Sequence, residues 1–297
     1  MSKNKNSVFI GAATALVTPF RNGAIDYESL STLIEKQVEG NIDAIVIAGT
    51  TGEAATLTDS EYEELVRFSV EKIRGRVPVI IGSGSNSTER ACHLTKKASE
   101  LGADALLVVT PYYNKASKKG LVESYRAISD CTEKPVIVYN VPSRTGVNIS
   151  LDVYKELAKI ENIVAVKEAN KDICAASELI FECGDDLDVY SGNDDEIIPL
   201  LSVGSFGVIS VVSNIIPSEI HDICRYYLGG NMTEARKKFK KCYELIKAMS
   251  SEVNPIPVKT ALSFLGLCRE EFRLPLCSMA DKNKEKLKSI LLDSPIK

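Results

Sequence analysis

Residues 163–169 read IVAVKEA, an apolar run interrupted by Lys167 and Glu168. Side chains alternate along a strand, so Lys167 is expected to share a face with Ile163, Ala165 and Ala169. Glu168 then faces the other way with Val164 and Val166. An ammonium on a packed apolar face is costly, and burial favours the neutral amine. A neutral amine attacks carbonyl carbon, which is the requirement for Schiff-base catalysis. The small Ala165 and Ala169 leave room for a ligand. The same spacing also suits a lysine that snorkels to a rim or pairs with a carboxylate, and the run alone leaves both open.

Other residues suit such chemistry. Tyr139 ends the preceding apolar run, PVIVYN, on the face of Ile137 and Pro135. A phenol near a lysine–ketone adduct can shuttle protons through carbinolamine formation and dehydration; a rim tyrosine packing a helix is the alternative. Thr50 and Thr51 lie between Gly49 and Gly52. Such a turn exposes N–H groups that hold a carboxylate, and the Thr50 hydroxyl can link Tyr139 to a further proton donor. An ordinary turn before a helix is the plainer reading. Arg144 sits in a loop closed by Pro142 and Gly146, and arginine suits two-pronged capture of a carboxylate; a solvated loop arginine is again the plainer reading.

Rival chemistries lack raw material. The only histidines are His93 and His221, both in helix-like segments, which leaves almost nothing for a triad or a His-rich metal site. The eight cysteines form no CxxC pair and none has a histidine at metal spacing, so no metal is expected. They read as reduced thiols, mostly buried. Gly82-Ser83-Gly84 lacks the third glycine of a dinucleotide turn, because position 87 is Ser87.

Elements of two kinds alternate and must position these groups. Eight strand-like runs fall at 8–18, 44–50, 77–84, 105–110, 135–140, 163–169, 188–193 and 207–213. Most are continuous apolar runs, as in parallel strands buried on both faces. Helix-like stretches fall at 28–39, 59–74, 87–100, 117–131, 151–160, 172–182, 194–203 and 217–228. Thr58 with Glu61 forms a capping box for the second, and Asn86 is expected to cap the third. This is an α/β pattern, and eight such units argue for a closed (β/α)8 TIM barrel over an open sheet. A barrel domain over 1–229 is expected, followed by a C-terminal three-helix region over 230–297, with helices near 232–250, 256–266 and 281–292. Pro255 and Pro257 separate the first two. In a barrel the reactive groups come from the C-terminal ends of the strands. Thr50, Tyr113, Tyr139, Lys167 and Gly192 all fall there.

The chain has 297 residues, 44% hydrophobic and 26% charged, an ordinary globular balance. With a net charge of −4 and no dense basic stripe, nucleic acid and anionic membrane are not expected partners. The cluster Lys237, Lys238, Lys240 and Lys241 reads as a solvated helix face. The polar start MSKNKNSVFI does not resemble a signal peptide, and no run approaches the ~20 apolar residues of a membrane helix. A cytoplasmic location is expected.

Taken in order, the strings GTTGEAATL (49–57), PYYN (111–114), YNVPSRTG (139–146), VKEA (166–169) and SGND (191–194) resemble the pyruvate-dependent class I aldolase and lyase superfamily, which includes the N-acetylneuraminate lyases. Within it the chain is most similar to the 4-hydroxy-tetrahydrodipicolinate (dihydrodipicolinate) synthase family, along essentially its whole length. The resemblance implies a lyase of lysine and diaminopimelate biosynthesis. It would condense pyruvate with L-aspartate 4-semialdehyde through a covalent Schiff base on Lys167, with no metal or cofactor. It makes Tyr139 the proton donor and acceptor, with Thr50 and Tyr113 completing the relay, Tyr113 from a neighbouring subunit. It makes Thr51 the binder of the pyruvate carboxylate, with Ile209 as the apolar wall beside it. Arg144 would hold the carboxylate of the second substrate, with Gly192 nearby. A homotetramer built as a dimer of dimers is implied, although dimers occur.

Arg144 in its SRTG string separates this reading from the N-acetylneuraminate lyases, which generally lack that string and carry serine where Thr50 stands. One departure stands out. Relatives inhibited by lysine tend to carry histidine and acidic residues near the GTTGEA helix and the following GxGxN turn. Here Asp59 and Tyr62 occupy that helix, and only Asn86, Glu89 and Tyr112 stand as a possible allosteric remnant. Weak or absent lysine feedback is therefore expected. The alternatives are a pyruvate-dependent aldolase acting on a 2-oxo-3-deoxy sugar acid, and a non-catalytic barrel that senses an oxo-acid.

Overall fold

The computed structural model describes residues 7–294. The first six residues of the polar N-terminal stretch, and the outer ends of the ranges 1–229 and 230–297, lie outside the described residues. Along the chain come β1 (Gly11–Ala15), a hairpin of β2 (Phe20–Arg21) and β3 (Ala24–Ile25), α1 (Tyr27–Glu39), β4 (Ala44–Ile47), α2 (Asp59–Ile73), β5 (Val79–Gly82), α3 (Thr88–Glu100), β6 (Ala105–Val109) and α4 (Lys118–Ser129). There follow β7 (Val136–Asn140), a one-turn α5 (Pro142–Thr145), α6 (Leu151–Ala158), β8 (Ile163–Glu168), α7 (Ile173–Cys183), β9 (Asp188–Ser191), α8 (Ile197–Ser202), β10 (Gly207–Ser210) and α9 (Pro217–Leu228). The helices α10 (Met232–Ala248), α11 (Ile256–Phe264) and α12 (Asp281–Asp293) end the chain.

Eight of the strands close into a parallel barrel in the order β1-β10-β9-β8-β7-β6-β5-β4. This is the expected α/β barrel, with a helix after each strand. The hairpin and α5 were not anticipated from the sequence. The expected first strand spans 8–18, but the observed one covers only Gly11–Ala15, with Leu16 N making a last bond to the Val46 carbonyl. The capping box of α2 forms, with Thr58 and Glu61 satisfying each other's backbone N–H. On α3 the cap is Ser87 and not Asn86: Ser87 Oγ accepts from Arg90 N, while the Asn86 carbonyl accepts from Asn114.

Two apolar cores result. The larger lies between barrel and helices and includes Val138, Ile163 and Val166. The smaller fills the barrel interior with Ala13, Val46, Leu107, Ile137, Ala165 and Ile209. Phe9, just before β1, stacks on Tyr190 at 4.2 Å between ring centroids and closes the interior from the N-terminal end. The strict alternation expected for β8 fails at its start. Val136 pairs with Ile163 but Ile137 pairs with Ala165, so Val164 is an extra residue. The bulge turns Ile163 to the outer core and Val164 to the inner one, opposite to expectation. Beyond it the alternation resumes, and Lys167 faces inward as expected.

The last helices are pinned to the barrel. Lys259 of α11 is fully buried and meets Glu53 at 2.6 Å, with Phe20 and Phe272 rings beside the ammonium. Arg273 adds its backbone N–H to Glu53 and its guanidinium to Glu61. Of the cysteines, Cys183, Cys224, Cys242 and Cys268 are buried, Cys92 and Cys131 partly so, and Cys174 and Cys277 exposed; all are free. The expectation of mostly buried thiols thus holds for half of them. Among the described residues no helix is long and apolar enough to cross a membrane.

Candidate active site

The C-terminal mouth of the barrel holds a cavity of about 460 Å³. Thr50, Thr51, Tyr139, Arg144, Lys167 and Gly192 all line it. A second hollow of about 470 Å³ adjoins it, sharing Gly49, Thr50, Leu107, Tyr139, Val141, Arg144 and Asn254.

Lys167 is 5% exposed at the inner end of β8. Its register partner on β7 is Tyr139, and its Nζ lies 4.3 Å from the centre of that ring. Burial pulls the amine down to about 8; the negative charge of Asp194 opposes this and Arg144 adds to it. The reading of a rim lysine or of one held in an ion pair does not apply, since among the described residues no carboxylate is in ion-pair contact with it. Burial likewise pushes the Tyr139 phenol up to about 12, against the pull of Arg144. An uncharged amine beside a protonated phenol is the pairing that carbonyl addition and dehydration require.

Gly192 lets the lysine lie flat. A Cβ there would fall 2.7 Å from Ala169 Cβ and 3.3 Å from Lys167 Cε. Ile209 is fully buried in the barrel interior. On the other face of β8, Glu168 accepts hydrogen bonds from Asn140, from Tyr154 Oη at 2.7 Å and from Asn170 N. Burial raises its carboxyl to about 7 even so. This network anchors the strand end that carries Lys167.

Thr51 is buried and Thr50 exposed at the mouth. The Arg144 guanidinium spends one N–H on the Asn254 carbonyl, at 2.9 Å, which leaves its remaining donors for a ligand. Tyr113 is not brought to Lys167 within one chain. It is 89% exposed, lines neither hollow and holds a left-handed φ of 73°. Tyr112 and Asn86 line the second hollow together, whereas Glu89 is exposed on α3 and lines neither.

Sequence reasoning missed Asp194 and Asn254. Asp194 is buried behind Lys167, where it accepts from Val211 N and Val212 N. An acid next in sequence to the SGN turn was a usable signal. Asn254 had only its place in the break NPIP, which did not indicate that α10 and α11 bring it over the mouth. Among the described residues no group of three or more His, Cys, Asp or Glu side chains is arranged to hold a metal ion.

The geometry agrees with comparisons to known proteins. The model of the dihydrodipicolinate synthetase family matches residues 8–293. A 4-hydroxy-tetrahydrodipicolinate synthase of Caldicellulosiruptor bescii is 50% identical over 288 residues, which are 97% of this chain and 97% of that protein. The chloride-inhibited dihydrodipicolinate synthase of Acinetobacter baumannii, solved in complex with pyruvate, is similar with a TM-score of 0.95 at 40% identity, over 97% of this chain and 99% of that one. A structure described as the first monomeric dihydrodipicolinate synthase variant has a TM-score of 0.95 at 42% identity, with 98% of each chain covered. With a barrel of this topology, an interior lysine on β8 and a family model spanning nearly every residue, the chain belongs to the dihydrodipicolinate synthetase family.

Proposed function

We propose that this chain is a lyase that condenses pyruvate with L-aspartate 4-semialdehyde to give 4-hydroxy-tetrahydrodipicolinate. The observation that carries the reading is the buried Lys167 amine, shifted toward neutrality and set over the Tyr139 ring inside a cavity. In the reaction so read, Nζ adds to the pyruvate keto carbon and Tyr139 gives a proton to the departing hydroxyl, which leaves as water. Loss of a methyl proton turns the imine into an enamine. The enamine carbon bonds to the aldehyde carbon of the second substrate. Its amine then attacks the imine carbon, Lys167 leaves and the ring closes. The imine itself is the electron sink, so the scheme calls for no cofactor.

Thr51, buried at the cavity wall, suits the pyruvate carboxylate, whereas Ile209 is buried in the barrel interior and lines neither hollow. Arg144 at the rim suits the carboxylate of the second substrate, which disfavours a neutral sugar chain. Thr50 lies at the mouth to pass protons from Tyr139. The exposure of Tyr113 supports an assembly in which it completes a neighbour's relay, and a homotetramer is the reading adopted. Lysine is expected to inhibit weakly or not at all, because Glu89 stands away from the hollow and Arg90 is tied to Asp59 at 2.6 Å; strong inhibition at sub-millimolar lysine contradicts this.

Borohydride reduction in the presence of pyruvate tests the central claim. Mass spectrometry should locate one 1-carboxyethyl group, the reduced pyruvate imine, on Lys167. An unmodified Lys167 leaves a non-catalytic oxo-acid sensor. Parallel assays with aspartate semialdehyde and with 2-oxo-3-deoxy sugar acids separate the synthase from an aldolase.

A further inference from the structure

Asn254 sits in the break between α10 and α11, outside the barrel sequence, yet it lines both hollows at the mouth. Its side-chain Nδ2 donates to Thr51 Oγ1 at 2.9 Å. Its backbone carbonyl accepts from Arg144 Nη2, also at 2.9 Å. Its Oδ1 is buried without a hydrogen-bond partner. An unpaired buried acceptor is a cost that an apolar side chain of similar size would avoid, so the amide needs a reason to be there.

A threonine hydroxyl has one proton and two lone pairs. When Asn254 occupies a lone pair as donor, that proton stays free to point into the cavity. We propose that Asn254 is a positioning residue for pyruvate: its amide N–H holds the Thr51 hydroxyl as a donor toward the pyruvate carboxylate. The C-terminal helices thereby take part in substrate recognition, with the side chain of Asn254 serving one substrate pocket and its main chain the other. This inference rests on the reading of Thr51 as the carboxylate binder.

The two contacts can be separated by mutation, because only the one to Thr51 uses the side chain. Asn254→Ala should raise the KM for pyruvate roughly tenfold while the KM for aspartate semialdehyde and kcat change by less than about threefold. Asn254→Asp keeps the shape but can only accept when ionised. It should raise the pyruvate KM further, and increasingly as pH rises through its titration, since the carboxylate would capture the Thr51 proton and repel pyruvate. Thr51→Val is the control. If it raises the pyruvate KM while both Asn254 variants stay within about twofold of the parent, the inference is wrong and the reading of Thr51 survives. If Thr51→Val leaves the pyruvate KM unchanged, the reading of Thr51 fails and takes the inference with it. Equal losses for both substrates in Asn254→Ala, with Asn254→Asp matching the parent, indicate a merely structural residue and also overturn the proposal.

Discussion

Tyr139 and Lys167 are register partners on neighbouring strands, and the amine of one lies 4.3 Å from the ring centre of the other. Neither position is adjustable by loop motion, because both side chains stand on the barrel wall. Their shifts run in opposite directions from one cause: burial disfavours the ammonium and disfavours the phenolate. Burial thus keeps the phenol protonated and brings the amine close enough to neutrality for its free-base form, which the first step requires, to be populated near pH 8.

This pairing makes a kinetic prediction. With Lys167 near 8, kcat/KM for pyruvate should climb with pH and level off above about 8. Tyr139→Phe should lower kcat by roughly 10²–10⁴-fold, the usual range for a positioned proton-transfer group, with the fold intact. A rate unchanged by removing the hydroxyl rules out the phenol as the proton carrier.

Adjacent residues on opposite faces of β8 should tilt stability in separate pH windows. Lys167 has a folded value of about 8 against an ordinary 10.5, so the unfolded chain binds more protons between them. Stability therefore rises from about pH 8 toward 10.5, and the full penalty below 8 is about 3 kcal/mol. Lys167→Met should be more stable than the parent at neutral pH, with the gap closing at high pH. Glu168 is raised to about 7 from 4.5, so its contribution is complete below 4.5 and is lost as pH climbs through 7. Glu168→Gln should flatten that loss. Urea unfolding at about pH 5, 7 and 9 checks both signs.

Gly192 should tolerate no side chain. The Cβ of Gly192→Ala would press on Ala169 and on the Lys167 stem, both fixed on the barrel wall. A shift of about 1 Å in a reacting group costs on the order of 10²-fold, and the lysine stem must give by only a few tenths of that, so kcat should fall by several-fold to about tenfold. Borohydride trapping by pyruvate should slow in parallel. Trapping at the parent rate means that the lysine has not been displaced.

The buried pair Glu53–Lys259 ties the loop that carries Thr50 and Thr51 to α11. Removing one partner strands the other charge, so Lys259→Met should cost about 3–5 kcal/mol. The double variant with Glu53→Gln should recover most of that loss. A double variant as unstable as the single one would falsify the claim that the stranded carboxylate is the cause.

Tyr113 is 89% exposed and lines neither hollow of its own chain. Specific activity should therefore fall on dilution, in step with dissociation followed by sedimentation. Mixing inactive Tyr113→Phe with inactive Lys167→Ala should restore part of the activity, because some hybrid sites would carry both residues. Full activity in a demonstrated monomer removes Tyr113 from the relay.

The sequence by itself determined the repeating strand–helix order, and with it the barrel, because parallel strands covered on both faces must be continuous apolar runs. It also determined that a lysine within an apolar run and a strand-end tyrosine fall one repeat apart, since strand parity is a local property; that the lysine is interior and not at the rim was decided by the closed barrel. The hairpin after β1 was illegible because its strands are only two residues long and carry no periodicity. The bulge at Val164 was illegible because parity cannot register a residue that the neighbouring strand leaves unpaired. Only the tertiary structure decided that Asn254, from beyond the barrel, lies against Thr51 and Arg144, and that Lys259 lies buried on Glu53. Those contacts join residues more than a hundred positions apart, and helix packing, to which no local pattern is sensitive, sets them.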